Sequence, residues 1–218
     1  MQSVYFPREI SWERKKEFGD DVFYLSHFHR RGYSVPNFFL IYNPSGDVYS
    51  GTLGEIYNAC KKLSEYSYYE YGLVFRLIFG GQEQFVFSYS DIYSYLNEKR
   101  IIVEEVPPIL VTGKIVRHNG DFVAYASFGI RLERSFDKYS LKSGVKKVAV
   151  QKTKTVFGLG GRIQKVPVDP SDTQVQKLDS ALLEELRKKS TEIIRTFPEI
   201  SEIRFFVSRG KIFIYYLC

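Results

Sequence analysis

Apolar positions along the chain fall into short runs of two periods, one helical and one strand-like, and these divide it into recognisable elements. Residues 11–32 carry Leu25 and Phe28 at helical spacing and end at Gly32, which predicts a helix closed by a glycine. Residues 34–42 follow as a turn and a strand, punctuated by Pro36, and residues 43–46 form a turn. A second helix is predicted from Thr52 to about Tyr66. Thr52 as N-cap and Glu55 three residues later fit a capping box. Residues 73–79 are apolar except for Arg76, then Gly80-Gly81 marks a turn and residues 84–87 a partner strand. A short helix spans 90–96.

Beyond residue 100 the pattern becomes strand after strand, at 101–106, 110–117, 121–127, 145–151, 154–157 and 162–168. His118-Asn-Gly120 and the loop from Gly158 to Gly161 separate some of them. Residues 179–195 place Leu182, Leu183, Leu186, Ile193 and Ile194 on the apolar side of an amphipathic helix. A hairpin of 203–207 and 211–217 closes the chain. The expected class is α+β, with mostly antiparallel sheets and a few helices. Two subdomains are expected: a mixed half over 1–100 and a sheet-rich half over 101–218.

At 218 residues, 44% hydrophobic and 26% charged, the chain has enough apolar material for a sizeable core. No apolar run reaches the roughly 20 residues of a membrane span, and the expected setting is cytoplasmic without a membrane partner. Two cysteines, Cys60 and Cys218, cannot frame a disulfide scaffold. His27-x-His29 is the nearest approach to a zinc spacing and reads as two partly exposed helix residues on different faces, so no metal is expected. Seventeen tyrosines, eighteen phenylalanines and a single methionine resemble thermophile composition.

Charge changes the picture more. Residues 1–100 are nearly neutral, so the net +6 lies in the second half. Between 131 and 165 stand Arg131, Arg134, Lys138, Lys142, Lys146, Lys147, Lys152, Lys154, Arg162 and Lys165 against Glu133 and Asp137 alone. Interleaved with Tyr139, Val148, Val150, Val156 and Phe157, they predict a basic sheet surface that attracts polyanions. The alternative is an ordinary solvated face.

Three other features bear on chemistry. The loop Gly158-Leu-Gly-Gly161 leads into a strand pattern rather than a helix N-terminus, so it reads as a hairpin turn and not a phosphate cradle. Glu104 and Glu105 point to opposite faces of one strand and cannot share a substrate as acid and base; one exposed carboxylate and one paired with a base are expected. Arg76, a charge in an apolar strand, is either a buried ion pair or an anion site.

In order, Phe18-Gly19-Asp20-Asp21, Val35-Pro36 before Phe39-Leu40-Ile41, and Val74-Phe-Arg76 before Gly80-Gly81-Gln82-Glu83 and Phe85-Val86-Phe87 form a sequence of motifs. They continue with Ile101 to Val106, Thr112-Gly113, Ala126-Ser-Phe-Gly129, Asp137-Lys-Tyr139 and Gly210-Lys211-Ile212-Phe213-Ile214. The series resembles the N-terminal nucleotide-binding domain of phosphoenolpyruvate synthase and pyruvate phosphate dikinase, an ATP-grasp-type fold, in compact and degenerate form. The resemblance implies an ATP site, with Arg76 as its phosphate-binding survivor. It also sets departures. Asp21 stands where the family has a phosphate-meeting lysine, Arg204 where a glutamate holds magnesium, Tyr216 where a glutamine stands, and Leu77-Ile78-Phe79 replaces a serine-rich acidic segment.

Phosphoryl transfer depends on metal and cations positioned around the transferred phosphate, so these exchanges remove most of its support. The expectation is a non-catalytic binding protein, with no cofactor, although the resemblance leaves ATP open. Its anionic partner is nucleic acid or a ribonucleoprotein before another protein. Arg76, Lys152, Lys154 and Glu104 are the candidate nucleotide or anion contacts. The alternatives are an ATP-binding phosphotransferase-type domain or a nucleotide-sensing subunit.

Overall fold

The computed structural model describes residues 3–45, 50–64, 74–86, 88–107, 109–118, 121–128, 137–140, 147–148, 153–157, 163–167 and 180–218. The chain divides into two units, Met1–Pro108 and Ile109–Cys218.

The first unit is built on a five-stranded antiparallel sheet. Its elements in chain order are β1 (Val4–Tyr5), α1 (Lys15–Phe18), α2 (Asp20–Arg30), β2 (Phe38–Tyr42), α3 (Ser50–Ser64), β3 (Phe75–Phe79), β4 (Gln82–Val86), α4 (Tyr89–Ile92) and β5 (Arg100–Glu105). The strands lie in the order β1-β2-β5-β3-β4. A boundary at residue 100 would cut off β5, the middle strand, which pairs with both β2 and β3. The division falls after Pro108 for that reason.

Alternation sorts the sheet into two faces. Phe39, Ile41, Phe75, Leu77, Ile101 and Val103 form one, packed with Ile56, Ala59, Cys60 and Leu63 of α3 into a single apolar cluster. The other face carries Phe38 and Tyr42, which meet His29 and Phe18 through ring contacts. The helix expected over 11–32 is broken at Gly19, whose φ of 95° a side chain rarely adopts. α2 begins there, with Asp20 and Asp21 in the first turn, where the helix dipole favours acids. Thr52 is not an N-cap, since α3 starts at Ser50. Its expected capping partner Glu55 instead accepts hydrogen bonds from the backbone N–H groups of Ser3 (2.8 Å) and Val4 (3.2 Å), tethering β1.

The second unit holds β6 (Val111–His118), β7 (Asp121–Phe128), β8 (Asp137–Ser140), β9 (Lys147–Val148), β10 (Thr153–Phe157), β11 (Ile163–Pro167), α5 (Ser180–Thr196), β12 (Glu202–Ser208) and β13 (Lys211–Leu217). Six of the strands form one antiparallel sheet, β13-β12-β6-β7-β8-β9, and β10 and β11 form a separate pair. Ile203, Phe205, Val207, Val111, Ile115, Ala124, Ala126, Ile212, Ile214 and Leu217 are buried in the sheet. Gly113 lets Phe205 lie across β6, because a Cβ there would stand 2.5 Å from the Phe205 ring and from the Tyr125 carbonyl oxygen. α5 buries Leu183, Leu186, Ser190 and Ile193, a stripe at helical spacing. The Ser190 hydroxyl is satisfied within the helix by donating to the Leu186 carbonyl (2.7 Å). Among the described residues no helix is long and apolar enough to cross a membrane.

Candidate functional site

Arg76 stands in the middle of the first sheet, opposite Glu104 on β5 and Phe85 on β4. Antiparallel pairing fixes this juxtaposition, since the turn at Gly80 and Gly81 sets the β3–β4 register. Its side chain is 1% exposed. Nη1 lies 3.5 Å from Glu104 Oε2, Nε lies 3.8 Å from Glu83 Oε2, and the guanidinium sits 5.4 Å from the centre of the Phe85 ring. Neither carboxylate oxygen of Glu104 has a hydrogen-bond partner. Burial pushes the Glu104 carboxyl up to about 8, with the Arg76 guanidinium opposing that rise and Glu83 adding to it. Arg76 and Glu104 are therefore together, inside a sheet.

Glu105, next along the strand, is buried as well, on the opposite face. The expectation of one exposed carboxylate fails here because β5 is the central strand of a sheet covered on both faces. Asp21 sits at the start of α2 with Oδ1 2.8 Å from Arg100 Nη1, and Arg100 also donates to the Phe18 carbonyl. Burial raises the Asp21 carboxyl while Arg100 draws it back. That acid thus binds α2 to β5. His27 and His29 are half-buried on α2, and burial lowers both imidazoles. Among the described residues no group of three or more histidine, cysteine or acidic side chains could hold a metal ion.

Of the basic stretch, Arg131, Arg134, Lys142, Lys146, Lys152 and Arg162 lie outside the described residues. The backbone positions of the other four are given. Lys138 stands on β8 opposite Tyr125 and Val148, and Lys147 on β9 opposite Tyr139. Lys154 stands on β10 opposite Val166, and Lys165 on β11 opposite Thr155. The stretch is therefore divided between the six-stranded sheet and the separate pair, and none of these four lysines faces another directly across a strand.

Two cations that the charge pattern did not single out as a pair meet in the second sheet. Lys114 on β6 lies opposite Arg204 on β12, which in turn lies opposite Tyr216 on β13. Arg204 Nε is 2.7 Å from Glu202 Oε1, Lys114 Nζ is 3.9 Å from Glu202 Oε2, and the Arg204 guanidinium sits 4.7 Å from the centre of the Tyr216 ring. Strand pairing across a long sequence separation produces this meeting. The one sequence signal for it was Arg204 in a place where the resemblance puts a glutamate.

No family model matches the chain, and no curated protein matches it. Among solved structures it is similar to D-alanyl-alanine synthetase A from Vibrio cholerae, at 10% identity and a TM-score of 0.45 over 88% of this chain and 52% of that one. It is similar also to D-alanine–D-alanine ligase from Bacillus anthracis (10% identity, TM-score 0.46, 99% of this chain and 59% of that one). The enzyme of the same name from Helicobacter pylori matches at 11% identity and a TM-score of 0.44 over 88% of this chain and 50% of that one. The chain spans between half and three-fifths of the length of these proteins. Likeness at this level assigns it no substrate, cofactor or residue role. The α+β class stands on the antiparallel sheets themselves. Nothing among the matches supports the phosphoenolpyruvate synthase domain in particular.

Proposed function

We propose that this chain is a non-catalytic binding protein on an ATP-grasp-like plan, whose cationic second half meets an anionic partner, nucleic acid or a ribonucleoprotein before another protein. The observation that carries this reading is the engagement of Arg76. The resemblance makes it the surviving phosphate-binding group, yet it lies buried between Glu104 and Phe85. Moving it to a phosphate would pull it out of its buried pairing with Glu104, and breaking a buried pair is strongly unfavourable. Phosphoryl transfer without its positioned cations loses its main source of rate. The net charge of +6, held in the second half of the sequence, suits a polyanion.

The test is filter binding of a labelled single-stranded oligonucleotide over a salt series. The reading expects affinity to fall linearly with salt on logarithmic axes. Absence of retention at the lowest salt would remove nucleic acid as the partner.

A further inference from the structure

Pairing in the second unit aligns one row across four strands: Tyr125 on β7, Lys114 on β6, Arg204 on β12 and Tyr216 on β13. Lys138 on β8 holds the register position beyond Tyr125. Directly opposed side chains on neighbouring strands have Cβ atoms about 5 Å apart, and like charges in that relation destabilise a sheet. The juxtaposition of Lys114 and Arg204 is therefore unfavourable unless negative charge is brought to both. Glu202 supplies one carboxylate to the pair, close to Arg204 at 2.7 Å and farther from Lys114 at 3.9 Å. Both cations keep some exposure, 25% for the Lys114 side chain and 11% for that of Arg204.

A second, independent observation comes from Thr112, two residues before Lys114 and so on the same face. It is 5% exposed, and its hydroxyl oxygen is buried with no hydrogen-bond partner. A buried hydroxyl without a partner is costly, and such a group calls for an acceptor.

We propose that Lys114, Arg204 and the Thr112 hydroxyl form a metal-free site for a phosphate group. This rests on the reading of an anionic partner and names where, and by which chemistry, that partner is held. Arg204 offers a planar fork of donors and Lys114 a point charge with rotatable donors. With the hydroxyl on the same face they supply donors from three side chains, which suits the several oxygens of a phosphate. The two fixed cations provide the positive charge that a magnesium ion would otherwise bring. Glu202 opposes binding, since a phosphate must compete with its carboxylate for both cations. Tyr125 and Tyr216 bracket the row with aromatic surface. The phosphate comes either from a free polyphosphate or from the backbone of single-stranded nucleic acid.

The test uses the full chain in a chelating buffer at low salt, with fluorescence anisotropy of a labelled single-stranded oligonucleotide and competition by inorganic tripolyphosphate. Lys114→Met is expected to weaken oligonucleotide binding by about tenfold, the scale of one charged hydrogen bond, and to reduce the salt slope by about 0.7. Thr112→Val should weaken it in the same direction. Glu202→Gln should tighten it, a gain that a misfolded variant cannot produce. Competition by tripolyphosphate that Lys114→Met abolishes identifies free phosphate as sufficient. Sensitivity to Lys114→Met without such competition identifies the nucleic-acid backbone. Undiminished oligonucleotide binding in Lys114→Met, together with no gain in Glu202→Gln, overturns the site while leaving the anionic-partner reading intact. Failure of the unaltered protein to bind either probe removes both.

Discussion

Arg76 and Glu104 show how one residue pair decides between two chemistries. A carboxyl held at about 8 when folded, against an ordinary value of 4.5, binds its proton more tightly in the folded state. Its contribution to stability is therefore fully present below the ordinary value and is lost as pH rises through about 8. The melting temperature of the unaltered chain should fall between about pH 5 and about pH 9, and Glu104→Gln should flatten that fall. Equal slopes in the two proteins would show that Glu104 titrates normally. Arg76→Met leaves the acid buried without its guanidinium and should cost about 3–5 kcal/mol in denaturant unfolding, whereas the double variant Arg76→Met, Glu104→Leu should recover most of that loss. The cysteines offer a simpler contrast. Burial pushes the Cys60 thiol up to about 12, while Cys218 is exposed at the chain end. A thiol reagent should modify Cys218 alone in the native protein and both after unfolding.

At the scale of elements, local pattern identified what is locally encoded. β5, β6, β7, α5 and the closing hairpin all lie within a residue or two of their predicted bounds, because each is a long periodic run with a turn or cap beside it. β1 and β8 were missed. β1 is two residues long and exists through its pairing with β2 and the grip of Glu55. β8 interrupts apolar alternation with Asp137 and Lys138 and is specified by β7 beside it. The pairing of Lys114 with Arg204 was equally illegible, since register between distant strands leaves no mark in either segment alone. The break at Gly19 was hidden in an otherwise helical stretch. It is a steric requirement as well as a conformational one, because a Cβ there would collide with the Arg100 guanidinium. Gly113→Ala tests the same logic in the second sheet. Its methyl would press on Phe205 and should cost about 1–3 kcal/mol by thermal denaturation. An unchanged melting temperature would mean that the Phe205 ring and the Tyr125 backbone both give way freely.

Considered as a whole, the described residues form a five-stranded sheet in the first unit and a six-stranded sheet with a separate strand pair in the second, each closed by pairings within its own unit. A fragment ending at Pro108 retains every strand of the first sheet, and one ending at residue 100 loses the strand that links β2 to β3. Circular dichroism should show cooperative melting for the longer fragment and none for the shorter. The distribution of charged groups between the units sets the functional account. In the first unit the arginine carried over from the resemblance is paired with a buried glutamate, and in the second, cations stand side by side where the resemblance puts a metal-holding acid. Anion binding without magnesium is what the proposed function expects of that arrangement. Calorimetric titration with ATP, in magnesium and again in chelator, tests it most directly. The account predicts no saturable heat that depends on magnesium, and any weak ATP binding should persist in chelator and fade with salt. Tight binding that requires magnesium and disappears in Arg76→Ala would contradict it.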